Sequence, residues 1–191
     1  VRLQAAVLSS MIDRTLYAAS TDETRYNLNG VYLEVLEAEQ KLRMVATDGH
    51  RLAYADRAIG EEIARMTSGV IIPRKGIGEL KHLVDEEDAD EVELGFAGNS
   101  VVVTTPTVKL VMRLIEGEFP NYRQVLPRAS KHRITLDAEV LAHVLRRVQI
   151  LALEGGRGVR LEIAPCKLTL SARNPDLGEA HEEIDLDYAG I

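Results

Sequence analysis

Two periods of apolar residues run along the chain, and their order repeats. Residues 5–19 place Val7, Leu8, Met11, Ile12 and Leu16 on one stripe at helical spacing, after a short strand-like stretch at residues 1–3. The period then falls to two, and residues 30–36, 42–47 and 51–58 read as three strands. A second unit follows the same grammar. It has a strand-like Val70-Ile71-Ile72, Pro73 at the helix start, a helix over residues 75–84 with Ile77, Leu80, Leu83 and Val84 on one side, and strands at residues 91–96, 100–105 and 109–114. A third begins with a strand at residues 133–136. Asp137 is the predicted N-cap of a helix running to about Ala152 that buries Val140, Leu141, Val144, Leu145, Val148 and Leu151, and strands follow at 158–163, 167–172 and 182–188.

The pattern is therefore βαβββ written three times, which predicts an α+β fold of mostly antiparallel sheets with helices on one face. Two such units side by side would bury both helices on a continuous sheet. A third leaves an apolar face without a counterpart. The expected organisation is a two-unit domain at residues 1–127, a linker at 128–132, and half a domain at 133–191. Val1 in place of Met fits a chain cut from a longer one. The acidic run at residues 85–93 reads as a solvated turn.

Composition narrows the possibilities. With 46% hydrophobic residues but no Trp and two Phe, the core is built from Leu, Val, Ile and Ala. No apolar run approaches the ~20 residues of a membrane span, and no secretory signal is visible. Cys166 is the only cysteine, so a reducing cytosol is expected, with Cys166 as a small core residue of the strand around 167–170. The net charge of −7 argues against a protein that coats nucleic acid with its whole surface, but not against one basic face. Arg146 and Arg147, with His143, lie opposite the apolar stripe of the third helix. Arg74 and Lys75 stand at the start of the second helix, where cations oppose the dipole and a phosphate would favour them; Lys81 and His82 lie further along. Such faces would hold DNA weakly and without sequence preference.

Several strings then resemble a known family: Arg25-Tyr26-Asn27-Leu28-Asn29-Gly30, Val45-Ala46-Thr47-Asp48-Gly49-His50-Arg51-Leu52-Ala53, Ile72-Pro73-Arg74-Lys75-Gly76, the run from Gly117-Glu118-Phe119-Pro120 through Tyr122-Arg123-Gln124-Val125-Leu126-Pro127, and Arg157-Gly158-Val159-Arg160-Leu161. In this order they resemble the central domain and the first half of the third domain of bacterial DNA sliding clamps, the β subunit of DNA polymerase III. The resemblance implies a homodimeric ring of three-domain subunits, helices lining the hole, double-stranded DNA threaded through it, and no catalysis, cofactor or metal. It also implies a pocket that takes short peptides from the polymerase III α subunit, the clamp loader and other clamp-binding proteins. Carried over by motif, that pocket would comprise Leu28, Thr47, Gly49, His50, Arg51, Leu52, Pro120, Gln124 and Val125, while Arg25, Tyr26, Arg74, Lys75, Arg146 and Arg147 would face DNA. Gln124 stands where a basic residue is frequent in the family, and Asn27 where a second tyrosine is.

Two rival readings differ in class. Asp48 and His50 could pose as an acid–base pair, but His82, His132, His143 and His181 complete no metal motif with them and Thr47 lacks a nucleophile-elbow context. Gly155-Gly156-Arg157-Gly158 reads as a turn between helix and strand, not as a phosphate loop. A repeat scaffold that binds peptides without nucleic acid is the other rival.

Overall fold

The computed structural model describes residues 1–59, 69–86, 90–127, 133–152 and 158–189. They fall into two compact units, Val1–Leu126 and Pro127–Ile191. In chain order the first unit holds β1 (Arg2–Gln4), α1 (Ala5–Asp13), β2 (Gly30–Leu36), β3 (Lys41–Thr47), β4 (Leu52–Ala58), β5 (Val70–Pro73), α2 (Arg74–Glu86), β6 (Glu91–Ala97), β7 (Ser100–Thr104) and β8 (Lys109–Arg113). The second holds α3 (Ala138–Val148), β9 (Arg160–Ala164), β10 (Lys167–Asn174) and β11 (Gly178–Asp185). The fold is α+β, and every strand pairing is antiparallel.

In the first unit the two modules trade their opening strands. One sheet has the order β1-β6-β7-β8 and the other β4-β3-β2-β5, so each module's three-strand meander is extended by the other module's first strand. Leu3 lies opposite Val92 and Ile72 opposite Val31, and all four are buried. A bridge from Ile71 to Ile115 joins the two sheets. Leu8, Met11 and Ile12 from α1 and Ile77, Leu80 and Val84 from α2 share one core with residues from both sheets. Fully burying each such side chain is worth about 1.5–3 kcal/mol.

The second unit is a single module. Its sheet has the order β11-β10-β9, and Val144 and Val148 of α3 pack with Leu168, Leu170, Ala172, Ile184 and Leu186. Asp137 caps α3, its carboxylate accepting the backbone N–H groups of Glu139 at 2.9 Å and Val140 at 3.0 Å.

Several expectations are corrected. The first helix ends at Asp13, not Ala19; Thr15 Oγ1 turns back to donate to the Met11 carbonyl at 2.8 Å, and Leu16–Ala18 form a single 3-10 turn. Pro73 closes β5, and α2 starts one residue later. Residues 133–136 form no strand, although Ile134 and Leu136 pack against the module's core in alternation with exposed neighbours. Val140 is exposed and Leu141, Leu145 and Leu151 are half-buried, since only one sheet lies against α3 in this unit. The last strand spans Gly178–Asp185 instead of 182–188, because the β10 ladder sets it, and an Asn174-closed turn feeds it. Cys166 is exposed, in the two-residue turn between Ala164 and Lys167, at φ +61°. Of the acidic run, Asp85 and Glu86 end α2 and Glu91–Glu93 open β6, with Val92 buried; residues 87–89 lie outside the described residues. The predicted linker at 128–132 and residues 155–157 of the glycine run also lie outside them.

Candidate functional site

The β3–β4 connection is built by its own sequence. Thr47 pairs with Leu52, and four residues turn between them. Thr47 Oγ1 donates to the Arg51 carbonyl at 2.7 Å and accepts the Gly49 N–H at 3.1 Å. The Asp48 carboxylate accepts the His50 and Arg51 N–H groups at 2.9 and 3.0 Å and the Arg51 Nε at 3.1 Å. Those backbone donors hold its pKa down at about 2. Gly49 has φ +91°, a left-handed backbone conformation that favours glycine over any residue with a Cβ. Asp48 is thus committed to the turn and its acceptors are spent on N–H groups, which removes it as an acid–base partner for the His50 ring. The imidazole of His50 and the guanidinium of Arg51 are left on the exposed side of a rigid loop.

Around this turn lies a polar cavity of about 310 Å³, lined among others by Tyr17, Asp22, Arg25, His50, Arg51 and Arg74. Arg25 Nη1 donates to the Asp48 carbonyl at 3.3 Å, Arg74 Nη1 to the Ala19 carbonyl at 3.0 Å, and the Arg51 guanidinium sits 5.7 Å from the Tyr17 ring centroid. Residues expected at a peptide pocket (His50, Arg51) and at a DNA face (Arg25, Arg74) therefore share one cavity. Tyr26, Arg74 and Lys75 line a second, shallower hollow of about 380 Å³ beside Pro73 and Ile115.

After β8 the chain is strapped over the first module's sheet. Gly117, at φ +130°, lies against the Tyr26 ring, and Asn27 Nδ2 donates to the Glu118 carbonyl at 3.1 Å. Phe119 stacks on Tyr32 with ring centroids 4.9 Å apart and planes 7° apart. The Tyr122 hydroxyl donates to buried Glu34, and Arg123 Nη2 holds both Glu34 oxygens at 3.0 and 2.9 Å. Burial and the Glu34 carboxylate push the Tyr122 phenol pKa up. Arg43 donates to Tyr122 at 3.3 Å and grips Asp56 with two bonds of 2.6 Å, which lowers the Asp56 pKa. With Tyr122 anchored below, Pro120, Gln124 and Val125 stay at the surface, Val125 with 69% of its area open to solvent. Leu28, by contrast, is 9% exposed, and Leu52 is half-buried.

The helix faces are less cationic than their sequence suggests. Lys81 Nζ is held by Asp85 at 2.7 Å, Ser9 at 2.8 Å and Asp13 at 3.1 Å, which ties α2 to α1. Arg147 makes a two-bonded pair with Glu182 of β11 at 2.6 and 2.9 Å. Arg146 and His143 are exposed on α3, in the second compact unit. The strap's anchors, Tyr32, Glu34, Arg43, Asp56 and Phe119, were absent from the sequence-derived site, although strand alternation marks Tyr32, Glu34, Arg43 and Asp56 as one face. Among the described residues there is no cluster of three metal-ligating side chains.

The family model described as "DNA polymerase III beta subunit, central domain" matches residues 2–121, and that described as "DNA polymerase III beta subunit, C-terminal domain" matches residues 123–191. The chain belongs to the DNA polymerase III β-subunit family. It is 40% identical over 185 residues to the beta sliding clamp of Caulobacter vibrioides, covering 96% of this chain and 49% of that protein. It is 35% identical over 188 residues to that of Escherichia coli, covering 98% and 50%. The crystal structure of a DnaN sliding clamp from Bartonella birtlesii bound to griselimycin superposes with a TM-score of 0.92 at 35% identity, over all of this chain and 51% of that one. The chain thus spans about half the length of the relatives it matches. The family is one of DNA replication and polymerase processivity. Among the described residues, no helix is long and apolar enough to cross a membrane.

Proposed function

We propose that this chain is the partner-docking part of a DNA polymerase processivity clamp, a non-catalytic cytoplasmic subunit that encircles double-stranded DNA as a homodimeric ring in its longer form. Polymerase III α subunit, clamp loader and other clamp-binding peptides dock on it. The observation that carries this reading is the pairing of a rigid turn (Thr47–Leu52) that leaves His50 and Arg51 outward with a strap whose exposed residues, Pro120, Gln124 and Val125, are held up by a buried Tyr122. Such a pair offers apolar contact from Leu52, Pro120 and Val125 with Leu28 beneath them, and side-chain donors for a peptide's carbonyl and carboxylate groups from His50 and Arg51, while Thr47 and Gly49 hold the turn in shape. Gln124 supplies an amide where a cation would add a charge-assisted bond.

The test is titration of a polymerase-derived clamp-binding peptide by calorimetry. Leu28→Ala with Leu52→Ala should weaken it at least tenfold, equal to about 1.4 kcal/mol, with the circular dichroism spectrum retained. Undiminished affinity in a folded variant would remove the assignment.

Arg25, Tyr26, Arg74, Lys75, Arg146 and Arg147 are read as the DNA side. Arg146→Ala should reduce the salt dependence of DNA retention more than Arg147→Ala, because Arg147 is already paired with Glu182. For the longer protein, retention on a circular plasmid and loss on linearising it separates a clamp from a scaffold that binds peptides alone.

A further inference from the structure

The strap is held to its sheet by side chains. The Ile115 N–H donates to the Ile71 carbonyl at 2.9 Å, and beyond it no backbone hydrogen bond among the described residues joins residues 116–126 to the strands beneath. A segment without a ladder takes its register from what its side chains meet. Here the polar fastening is a chain of alternating partners. Asp56 accepts two bonds from Arg43, Arg43 donates to Tyr122 at 3.3 Å, Tyr122 donates to Glu34, and Arg123 Nη2 reaches both Glu34 oxygens. Glu34 of β2 lies directly opposite Arg43 of β3, which lies opposite Asp56 of β4. At 8% exposure, Glu34 is the one charged residue among the described residues that is buried.

A buried ion cluster is a weak source of stability, because desolvation offsets most of its attraction, but taking one partner away leaves a charge buried and unpaired. That asymmetry suits it to fixing a register. A strap displaced along the sheet would draw Tyr122 and Arg123 away from Glu34 and strand its carboxylate. In the observed register Pro120 stands between the Phe119 stack and Tyr122, and the Val125 N–H donates to the Tyr122 carbonyl at 3.1 Å, so both outward residues are placed by the anchors. We propose that Glu34 is a positioning residue for partner docking. Without touching a partner, it selects the strap register in which Pro120 and Val125 face outward, while Arg43, held by Asp56, aims the Tyr122 hydroxyl at it. The inference rests on the docking reading given above.

In the 191-residue chain, Glu34→Gln should raise the Kd for the polymerase-derived clamp-binding peptide at least tenfold. The loss should come from slower association with dissociation unchanged, because fewer molecules hold the competent register. Tyr122→Phe keeps the ring and removes the same bond, so it should slow association to a similar degree, and the two substitutions together should slow it no further. Amide exchange at Gln124 and Val125 should quicken in both variants. A purely structural role would lower the denaturation midpoint and leave the association rate of the folded protein as it was, and that result in both variants overturns the proposal. Leu28→Ala with Leu52→Ala separates the two readings. If it weakens the peptide and Glu34→Gln does not, positioning fails and docking stands. If the unaltered chain does not bind the peptide, or binding is indifferent to all of these substitutions, the docking reading fails and the proposal falls with it.

Discussion

The two compact units are written in one βαβββ grammar and end in different states of completion. In the first, α1 and α2 share a core and each meander borrows a strand, so Leu3, Val31, Ile72 and Val92 disappear from solvent. In the second, α3 buries two residues fully, and the matching strand β9 buries none. The same apolar pattern thus yields a closed core where a second module is in place and a half-open one where it is not. The module's hydrophobic pattern specifies its shape, and pairing of modules specifies how much of the pattern is buried.

Equal truncations in the two units should break this comparison open most widely. Leu80→Ala in the shared core should cost about 2–5 kcal/mol in urea denaturation, whereas Leu161→Ala, half in solvent, should cost under about 1 kcal/mol. Equal costs would mean that β9 is covered in solution. The next effect concerns the strap of the first unit. Asp56→Ala strips Arg43 of two charge-assisted bonds beneath Tyr122 and should destabilise that unit by about 1.5–3 kcal/mol, visible as a lower denaturation midpoint there with the second unit's transition unmoved. Asp137→Ala is the converse probe. It removes a side-chain cap that α1 lacks and should cost the second unit about 1 kcal/mol while leaving the first unchanged. The smallest effect is in the Asp48 turn. Because its folded pKa is depressed to about 2, its contribution is complete above the ordinary carboxylate pKa near ~4 and fades only as pH falls toward that lowered value. The amide resonances of His50 and Arg51 should therefore hold position down to about pH 4 and shift below it; a midpoint at the ordinary carboxylate pKa would show that the turn does not hold Asp48.

Strand and helix order, the three repeats and the antiparallel class were legible from periodicity alone, because each apolar stripe in the first unit is in fact buried. The expectation failed where burial depends on a neighbour: Val140 and the strand at 133–136 follow the pattern but lack the surface that completes it. It also failed where local polar chemistry overrides hydrophobicity, as at Thr15, which ends α1, and at residues 178–181, where Glu and His carry a strand that only the ladder to β10 dictates. Cys166 looked like a core residue by type, but the two-residue hairpin turn pushes it out. Of the candidate site, the Thr47–Leu52 turn was visible because each of its residues has a local task. The exposed residues of the strap were visible by motif, but its anchoring was not, since Tyr122 reaches Glu34 across 88 positions of sequence.

The exchange of opening strands also bears on how the molecule is made. Arg2 finds its partner Glu93 about ninety residues later, so β1 leaves the ribosome long before anything can pair with it. The first meander, β2 to β4, can form early from local contacts, yet its edge at β2 stays open until residues 70–73 emerge. Neither module can finish alone. During synthesis the nascent chain must hold Leu3 and Val31 exposed until the second module arrives, a window in which a chaperone, or a neighbouring nascent chain, can reach them.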